Sequence, residues 1–215
     1  MTTDTTLMAG LRESFGETPS QTVGPYFAYC LTAQQYHYDF AQVFDHTVAL
    51  PHAAGEHIRL EGRVLDGDGQ PIPDALVEIQ QADAAGRYRA PATTPGTTPG
   101  ADFRATGFRG FGRSGSGTEA DARYHFDTVK PGAPSAGEAP HLHMVVMMRG
   151  MLLHAFTRVY FEDEAEANAH DAVLQSVPAE RRATLLARRV EEGGRVVYRF
   201  DIHMQGEQET VFFDV

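Results

Sequence analysis

The chain is 215 residues long, and its 42% hydrophobic and 22% charged residues are typical of a protein with a sizeable buried core. Its formal net charge of −11 argues against nucleic acid and anionic membranes as partners, because their phosphates would be repelled. A small anionic substrate remains compatible with this charge. The single cysteine, Cys30, excludes internal disulfides. Because we find no signal peptide and no apolar run long enough to span a membrane, we expect a cytoplasmic protein.

The beginning of the chain divides into an arm and a turn-rich loop. We expect residues 1–16 to form a polar N-terminal arm, followed by a single domain over residues 17–215. Pro19, Gly24 and Pro25 interrupt the stretch that follows the arm. Such spacing of proline and glycine predicts an extended loop rather than a helix.

Short apolar segments separated by turn residues dominate the chain after residue 57. In the first of them, Ile58, Leu60 and Val64 alternate with polar residues, as in a half-buried strand. The predicted strands cover residues 57–64, 75–79, 123–129, 142–148, 152–160, 195–204 and 210–213. This pattern predicts a mostly β fold, an antiparallel β-sandwich with a transthyretin- or immunoglobulin-like core, long loops and one or two short edge helices.

Two segments between these strands have a different composition. Residues 178–190 predict a helix, since Pro178 suits the first helical position and Gly193 follows the end; residues 163–173 are a weaker candidate. Residues 91–113 are rich in threonine, proline and glycine and too long for an ordinary connection. We interpret that stretch as a lid, an interface loop or a disordered segment.

The segment around residue 141 holds the most informative pair of side chains. His141 and His143 open the apolar run 144–148, and the strand period of two predicts that both imidazoles lie on one face. If residues 149–150 form a two-residue hairpin turn, His154 shares that face, and three imidazoles could hold a metal ion. The alternative is that these histidines are hydrogen-bonded core or interface residues.

Arg149 lies in the turn between two apolar strands. An arginine in such a turn is usually solvated, but its planar guanidinium can also bind a carboxylate in a neighbouring pocket.

Six segments, in this order and spacing, resemble the intradiol ring-cleaving dioxygenases. They are TPSQT-x-GPY (18–26), GRVLDGDG (62–69), QAD-x2-GRY (81–88), TVKPG (128–132), PH-x-H (140–143), and YRFD followed by QG-x3-TVFF (198–213). The resemblance covers nearly the whole chain. It implies a β-sandwich in which two histidines and two tyrosinates hold a mononuclear Fe(III), the histidines being His141 and His143.

The tyrosines that the resemblance requires are missing from this sequence. One should follow the Lys-Pro-Gly turn, where residues 133–136 contain none, and the other should lie beyond Tyr88, where none occurs before Tyr124. Two neutral imidazoles alone offer too few ligands and no compensating charge for a trivalent ion. We therefore expect no metal in this chain and interpret His141 and His143 as a vestigial site.

Within the family, the chain most resembles an alpha subunit that binds no iron itself. The resemblance implies an obligate heterodimer with a homologous beta subunit, further multimerised, in which the beta subunit binds the Fe(III). It also implies that Thr22, Gly24, Pro25 and Arg149 line the partner's pocket at the subunit interface. The implied reaction cleaves a dihydroxybenzoate with O2, a step of aromatic catabolism in the beta-ketoadipate pathway.

Two other functions remain open at this stage. The first is a self-sufficient metal dioxygenase that uses His141, His143 and His154. The second is a non-catalytic sandwich module that binds only another protein.

Overall fold

The computed structural model describes residues 18–24, 26–89 and 101–214, with the backbone alone at residues 101 and 102. Its strands are β1 (His57–Leu65), β2 (Leu76–Gln81), β3 (Phe111–Gly115), β4 (Arg123–Val129), β5 (His141–Met147), β6 (Ala155–Phe161), β7 (Leu186–Glu192), β8 (Arg195–Arg199) and β9 (Ile202–His203). The α-helices are α1 (Tyr26–Leu31), α2 (Ala101–Thr106), α3 (Ala165–His170) and α4 (Ala172–Ser176), and a 3-10 helix spans Ala179–Leu185.

The strands form a β-sandwich, as the sequence predicts. Strands β3, β2, β5 and β6 lie side by side in one layer, and β7, β8, β1 and β4 follow in the other. The two layers are linked where β6 meets the start of β7, through the pairs Tyr160–Leu186 and Phe161–Ala187. The sandwich is mixed rather than wholly antiparallel, because β6 runs parallel to β7 and β1 runs parallel to β8.

The alternating residues of each layer pack against the other layer. In β1, Ile58, Leu60 and Val64 are at most 2% exposed, in agreement with the predicted alternation. Leu142 and Met144 of β5 join the same core cluster. Because side chains alternate along a strand, the odd-numbered residues of β5 must face outwards from the sandwich.

The predicted helix over residues 178–190 is only partly correct. The 3-10 helix ends at Leu185, and β7 then begins at Leu186, pairing antiparallel with β8. Ala187 is fully buried in the core, so tertiary pairing decides the structure of a segment whose local sequence favours a helix. The weaker candidate at residues 163–173 corresponds to α3 and α4.

Other expectations also need correction. Of residues 91–113, the first ten lie outside the described residues, and the rest contain α2 and the start of β3. Strand β3 was not predicted because its sequence FGRSG lacks apolar alternation. The predicted strand at 210–213 is only a bridge between Phe213 and Phe156. The N-terminal arm 1–16 lies outside the described residues. None of the helices in the described ranges has the length and apolarity that a membrane span requires.

Candidate functional site

Two places in the structure bring the predicted functional residues together. The first is a corner between the N-terminal loop and the β5–β6 connection, which contains Thr22, Gly24 and Arg149. The second is a group of side chains on the outer face of β5 and β6, which contains His141 and His143.

The corner is closed by a hydrogen bond between residues that are 128 positions apart. The Gly150 N–H donates to the Thr22 hydroxyl at 2.8 Å. Gly24 has a φ of +73°, in the left-handed region that glycine adopts most readily, and no atom lies within 4 Å of the position that a Cβ would occupy. The backbone at Gly24 is therefore open to close approach by another molecule. Pro25, predicted for the same site, lies outside the described residues.

Arg149 is held in place within the chain. Its Nε lies 2.7 Å from Oδ2 of Asp74, a carboxylate that is only 13% exposed, whereas the Arg149 side chain is 61% exposed. The guanidinium is thus both anchored on one side and accessible on the other. The ion pair with Asp74 lies within the chain, so the role of Arg149 toward a carboxylate in a neighbouring pocket stays a prediction.

The β5–β6 connection is longer than the predicted two-residue turn. Residues 148–154 join the strands, and the register pairs His141 with Tyr160 and Val145 with Phe156. His154 therefore lies just before the start of β6, where the centre of its ring is 4.4 Å from that of the Phe156 ring. No group of three or more histidine, cysteine, aspartate or glutamate side chains suited to a metal ion occurs in the described part of the chain. The predicted cluster of His141, His143 and His154 is not formed.

The second place, which we call the histidine pocket, consists of Tyr88, His141, His143, Arg158 and Tyr160. The rings of His141 and His143 lie 4.9 Å apart at 89°, and the ring of Tyr88 lies 6.0 Å from that of His143. His143 is the direct partner of Arg158 across the β5–β6 pair, and Arg158 Nη1 reaches to 3.5 Å from the Tyr160 hydroxyl. The two imidazoles share the outer face of β5, as the strand period predicts.

Two turns lie beside the histidine pocket. The turn of residues 83–87 packs on the Lys-Pro-Gly turn, and at Gly86 a Cβ would lie only 2.0 Å from the Ala133 carbonyl oxygen. Gly86 also has a φ of +78°, so both its conformation and its contact require glycine. This packing brings Tyr88 to the pocket.

The imidazoles of the pocket favour the uncharged state. Burial is the main reason that the pKa of His143 falls to about 4, and the nearby His141 and Arg158 lower it further against a smaller opposing effect of Glu138. Burial also lowers the pKa of His141, although a hydrogen bond between its Nδ1 and the Ala139 carbonyl oxygen opposes the shift. Burial raises the pKa of the Tyr88 hydroxyl. Burial also raises the pKa of the Tyr160 hydroxyl, so at neutral pH the pocket contains two neutral imidazoles, two neutral phenols and one cation, Arg158.

Comparisons with known proteins are consistent with the resemblance. The sequence profile of the family described as Dioxygenase matches residues 24–206. The chain is 58% identical over 200 residues to the protocatechuate 3,4-dioxygenase alpha chain of Burkholderia cepacia, covering 93% of this chain and 98% of that one. The chain belongs to the intradiol ring-cleaving dioxygenase family.

Two further similarities are to a beta chain and to a solved dioxygenase domain. The protocatechuate 3,4-dioxygenase beta chain of Burkholderia cepacia is 33% identical over 166 residues, covering 73% of this chain and 67% of that one. The dioxygenase domain of a dioxygenase–carbohydrate-binding protein fusion from Streptomyces sp. SirexAA-E has a TM-score of 0.55 and 22% identity, covering 91% of this chain and all of that one. At that identity the structural similarity supports the fold alone.

The histidine pocket does not fit the iron of this family. His141 Nε2 is buried without a hydrogen-bond partner among the described residues. The tyrosine hydroxyls described beside these histidines are those of Tyr88, in the Gly-Arg-Tyr segment, and Tyr160, which donates to Asp171 at 3.0 Å. Residues 90–100 and 1–17 contain no tyrosine, histidine or cysteine in the sequence. The sequence has no tyrosine at residues 133–136 or 89–123, the positions where the resemblance requires the phenolates that balance the charge of a ferric ion.

Proposed function

We propose that this chain is the alpha subunit of a protocatechuate 3,4-dioxygenase and lines the active site of an iron-bearing beta subunit. The single observation that carries the proposal is the 58% identity to an alpha chain of that enzyme, over nearly the full length of both. The absence of tyrosine at the two ligand positions also supports the proposal, because an iron-dependent reaction would then need a partner chain that binds the iron.

The proposed reaction opens the aromatic ring of 3,4-dihydroxybenzoate between its two hydroxyl-bearing carbons. Both atoms of O2 enter the product, 3-carboxy-cis,cis-muconate. The beta subunit would hold the Fe(III), which would activate the bound catechol for attack by O2. This chain would contribute the wall of the pocket and no step of the chemistry.

The corner that contains Thr22 suits this role. The substrate carries a carboxylate, and the exposed side of the Arg149 guanidinium offers a fixed positive charge at the surface. Gly24 allows backbone to approach a flat aromatic ring, because no side chain intervenes. Pro25 is proposed as a further lining residue on the resemblance alone.

An exposed apolar surface beside this corner supports the proposed contact with a beta subunit. Leu152 and Leu153 of the β5–β6 connection are 64% and 68% exposed, and Val23 is 46% exposed. These residues and Met151 border one groove, and we call them the Leu153 patch. An exposed apolar patch beside polar residues is typical of a protein interface, so the proposed heterodimer would bury it.

Co-expression tests the proposal. With a beta-type chain, we expect a red, iron-containing complex that consumes O2 in the presence of 3,4-dihydroxybenzoate. Alone, the chain should be colourless and inactive, because the colour of this family requires a phenolate–Fe(III) bond. An active preparation of this chain alone, with about one iron per chain, would contradict the proposal.

A further inference from the structure

A cavity of about 340 Å³ lies where the beginning of β1 and the end of β4 meet the loop that precedes β1. None of its lining residues belongs to the corner, the Leu153 patch or the histidine pocket. Its volume is within the range of small-molecule sites, which combine apolar walls with a few polar groups. Ala49, Pro51 and Ile58 form the apolar part of the lining, and Asp127 and Arg195 bring one charge of each sign. We call this site the Arg195 cavity.

Asp127 and Arg195 have hydrogen-bonding capacity that the chain does not use. The Asp127 carboxylate accepts from Arg59 Nε at 2.9 Å and from Arg59 Nη2 at 3.0 Å, which leaves acceptor capacity on both oxygens. Arg195 Nη1 lies 3.3 Å from Asp127 Oδ1 as an ion pair, but the guanidinium donates no hydrogen bond to any described residue. The Arg195 side chain is 50% exposed, so its N–H groups are accessible to a ligand.

Two further polar side chains, His57 and Thr47, line the cavity. His57 Nε2 lies 3.0 Å from the Ala53 carbonyl oxygen. In the neutral imidazole this contact uses the N–H of Nε2, because a carbonyl can only accept, and Nδ1 keeps a lone pair. The Thr47 N–H donates to Asp45, whereas the Thr47 hydroxyl forms no hydrogen bond with a described residue. The cavity therefore offers both donors and acceptors to a ligand.

The charges of the cavity favour a ligand that carries both signs. Burial alone would raise the pKa of Asp127, but Arg59 lowers it, so this carboxylate is ionised at neutral pH. Asp127 therefore repels an anion, and Arg195 repels a cation. The charged atoms of these two residues are only 3.3 Å apart, so the opposite charges of the ligand must also lie close together. The ammonium and carboxylate groups of an α-amino acid are attached to one carbon atom and satisfy this requirement.

We propose that the Arg195 cavity binds an α-amino acid with an apolar side chain. The carboxylate of the ligand accepts from Arg195, and its ammonium group donates to Asp127 and to His57 Nδ1. The side chain of the ligand lies against Ala49 and Pro51, where it is removed from water. This site belongs to the chain itself and does not depend on whether a beta subunit is its partner.

Isothermal titration with L-leucine at neutral pH tests this site on the full chain, alone or in a co-expressed complex. We expect one saturable site for each copy of this chain. Arg195→Gln should weaken its Kd by roughly tenfold or more, as for the loss of a charged hydrogen bond. Arg188→Gln changes an exposed arginine of β7 and should leave the Kd unchanged. In a complex, a leucine site in the partner would persist in Arg195→Gln and is thereby distinguished.

Two related probes test the two charges of the ligand. N-acetyl-L-leucine lacks the ammonium group and 3-methylbutylamine lacks the carboxylate, so both should bind more weakly than L-leucine. Counting Arg59, the charged side chains carry one excess positive charge, so the amine should bind most weakly of the three.

The absence of a saturable site on the wild-type chain would overturn the proposal, and so would equal binding of L-leucine by wild type and Arg195→Gln. Binding of N-acetyl-L-leucine as tight as that of L-leucine would also overturn it, since the site would then recognise a simple anion. The comparison of the three probes on the wild-type chain remains decisive even if the Arg195→Gln chain fails to fold.

Discussion

The Thr22 hydroxyl accepts a hydrogen bond from the Gly150 N–H at 2.8 Å, and this contact fastens the N-terminal loop to the β5–β6 connection. Among the described residues 18–24 of this loop, Thr22 is the one whose side chain forms a hydrogen bond with another part of the described chain. This exposed hydrogen bond and the groove that Val23 shares with the β5–β6 connection hold the loop beside Arg149. Removing the Thr22 hydroxyl therefore tests whether the position of this loop matters for the proposed substrate pocket.

We expect Thr22→Val to raise the KM for 3,4-dihydroxybenzoate in the co-expressed complex, since the loop would no longer be fixed beside Arg149. The effect on the free energy of unfolding should stay within about 1 kcal/mol, as is usual for a single hydrogen bond. Oxygen-uptake kinetics and thermal melts measure the two quantities. Thr22→Ser retains the acceptor and should behave as the wild type. An unchanged KM in Thr22→Val would show that the loop does not need this bond.

Arg149→Ala should weaken the use of the carboxylated substrate more than that of catechol, which has no carboxylate. The expected loss in kcat/KM for 3,4-dihydroxybenzoate is roughly tenfold or more, as for the removal of a charged hydrogen bond. Arg188→Ala removes an exposed arginine of β7 and is the matched control. Equal losses for both substrates would indicate a structural role through the ion pair with Asp74. No change in turnover would favour a non-catalytic module.

Leu153→Glu should prevent co-purification with a beta-type chain, because it places a charge in the proposed apolar interface. Val43→Glu is a matched control on a different surface, since Val43 and Leu153 are 69% and 68% exposed. Pull-down of the tagged chain with its co-expressed partner measures the difference. Retention of the partner by Leu153→Glu at the wild-type level would exclude the Leu153 patch as part of the interface.

Asp171→Asn should destabilise the fold by about 2–4 kcal/mol, because a fully buried carboxylate loses acceptor capacity. It accepts hydrogen bonds from the Leu174 and Ala139 N–H groups and from the Tyr160 hydroxyl. Burial alone would raise the pKa of Asp171, but these hydrogen bonds lower it below its usual value. The stability that Asp171 supplies is therefore present above the unfolded pKa, near 4, and is lost as the pH falls through the lower folded pKa.

Urea unfolding at several pH values tests the behaviour of Asp171. The wild type should lose stability most steeply below about pH 4, and Asp171→Asn should lose less over the same range. Asp68→Asn, in an exposed turn, should change the free energy of unfolding by no more than about 0.5 kcal/mol. Parallel acid transitions in wild type and Asp171→Asn would contradict this account.

His125 should make the folded state less stable at moderately acid pH. Burial is the main cause that lowers the pKa of His125 to about 4, and His46, whose ring lies 4.4 Å away, contributes to the shift. Between the unfolded pKa, near 6.5, and about 4, the unfolded chain binds a proton at this residue that the folded chain does not. Protonation of His125 should therefore cost no stability above about pH 6.5, and the free energy of unfolding should decline as the pH falls from about 6.5 to about 4.

Urea unfolding between pH 7 and pH 4 also measures the contribution of His125. The slope of the free energy of unfolding with pH should be smaller in His125→Gln than in wild type. Identical slopes would show that the imidazole titrates alike in both states.

The sequence alone determined the class of fold and showed that tyrosine is absent from the two ligand positions that the resemblance requires. The alternation of Ile58, Leu60 and Val64 identified a half-buried strand, because a period of two is a local property of the backbone. The absence of tyrosine at residues 133–136 and between Tyr88 and Tyr124 was likewise visible in the sequence, whereas only the structure showed that Tyr88 and Tyr160 lie beside the two histidines.

Only the tertiary structure decided how the distant segments meet. The register of β5 and β6 placed His154 away from His141 and His143, because the length of the connection sets the register and no local pattern encodes it. Tertiary pairing also turned residues 186–192 into β7. The contact of Thr22 with Gly150, and the pairing of His143 with Arg158, join residues whose proximity depends on the packing of whole strands.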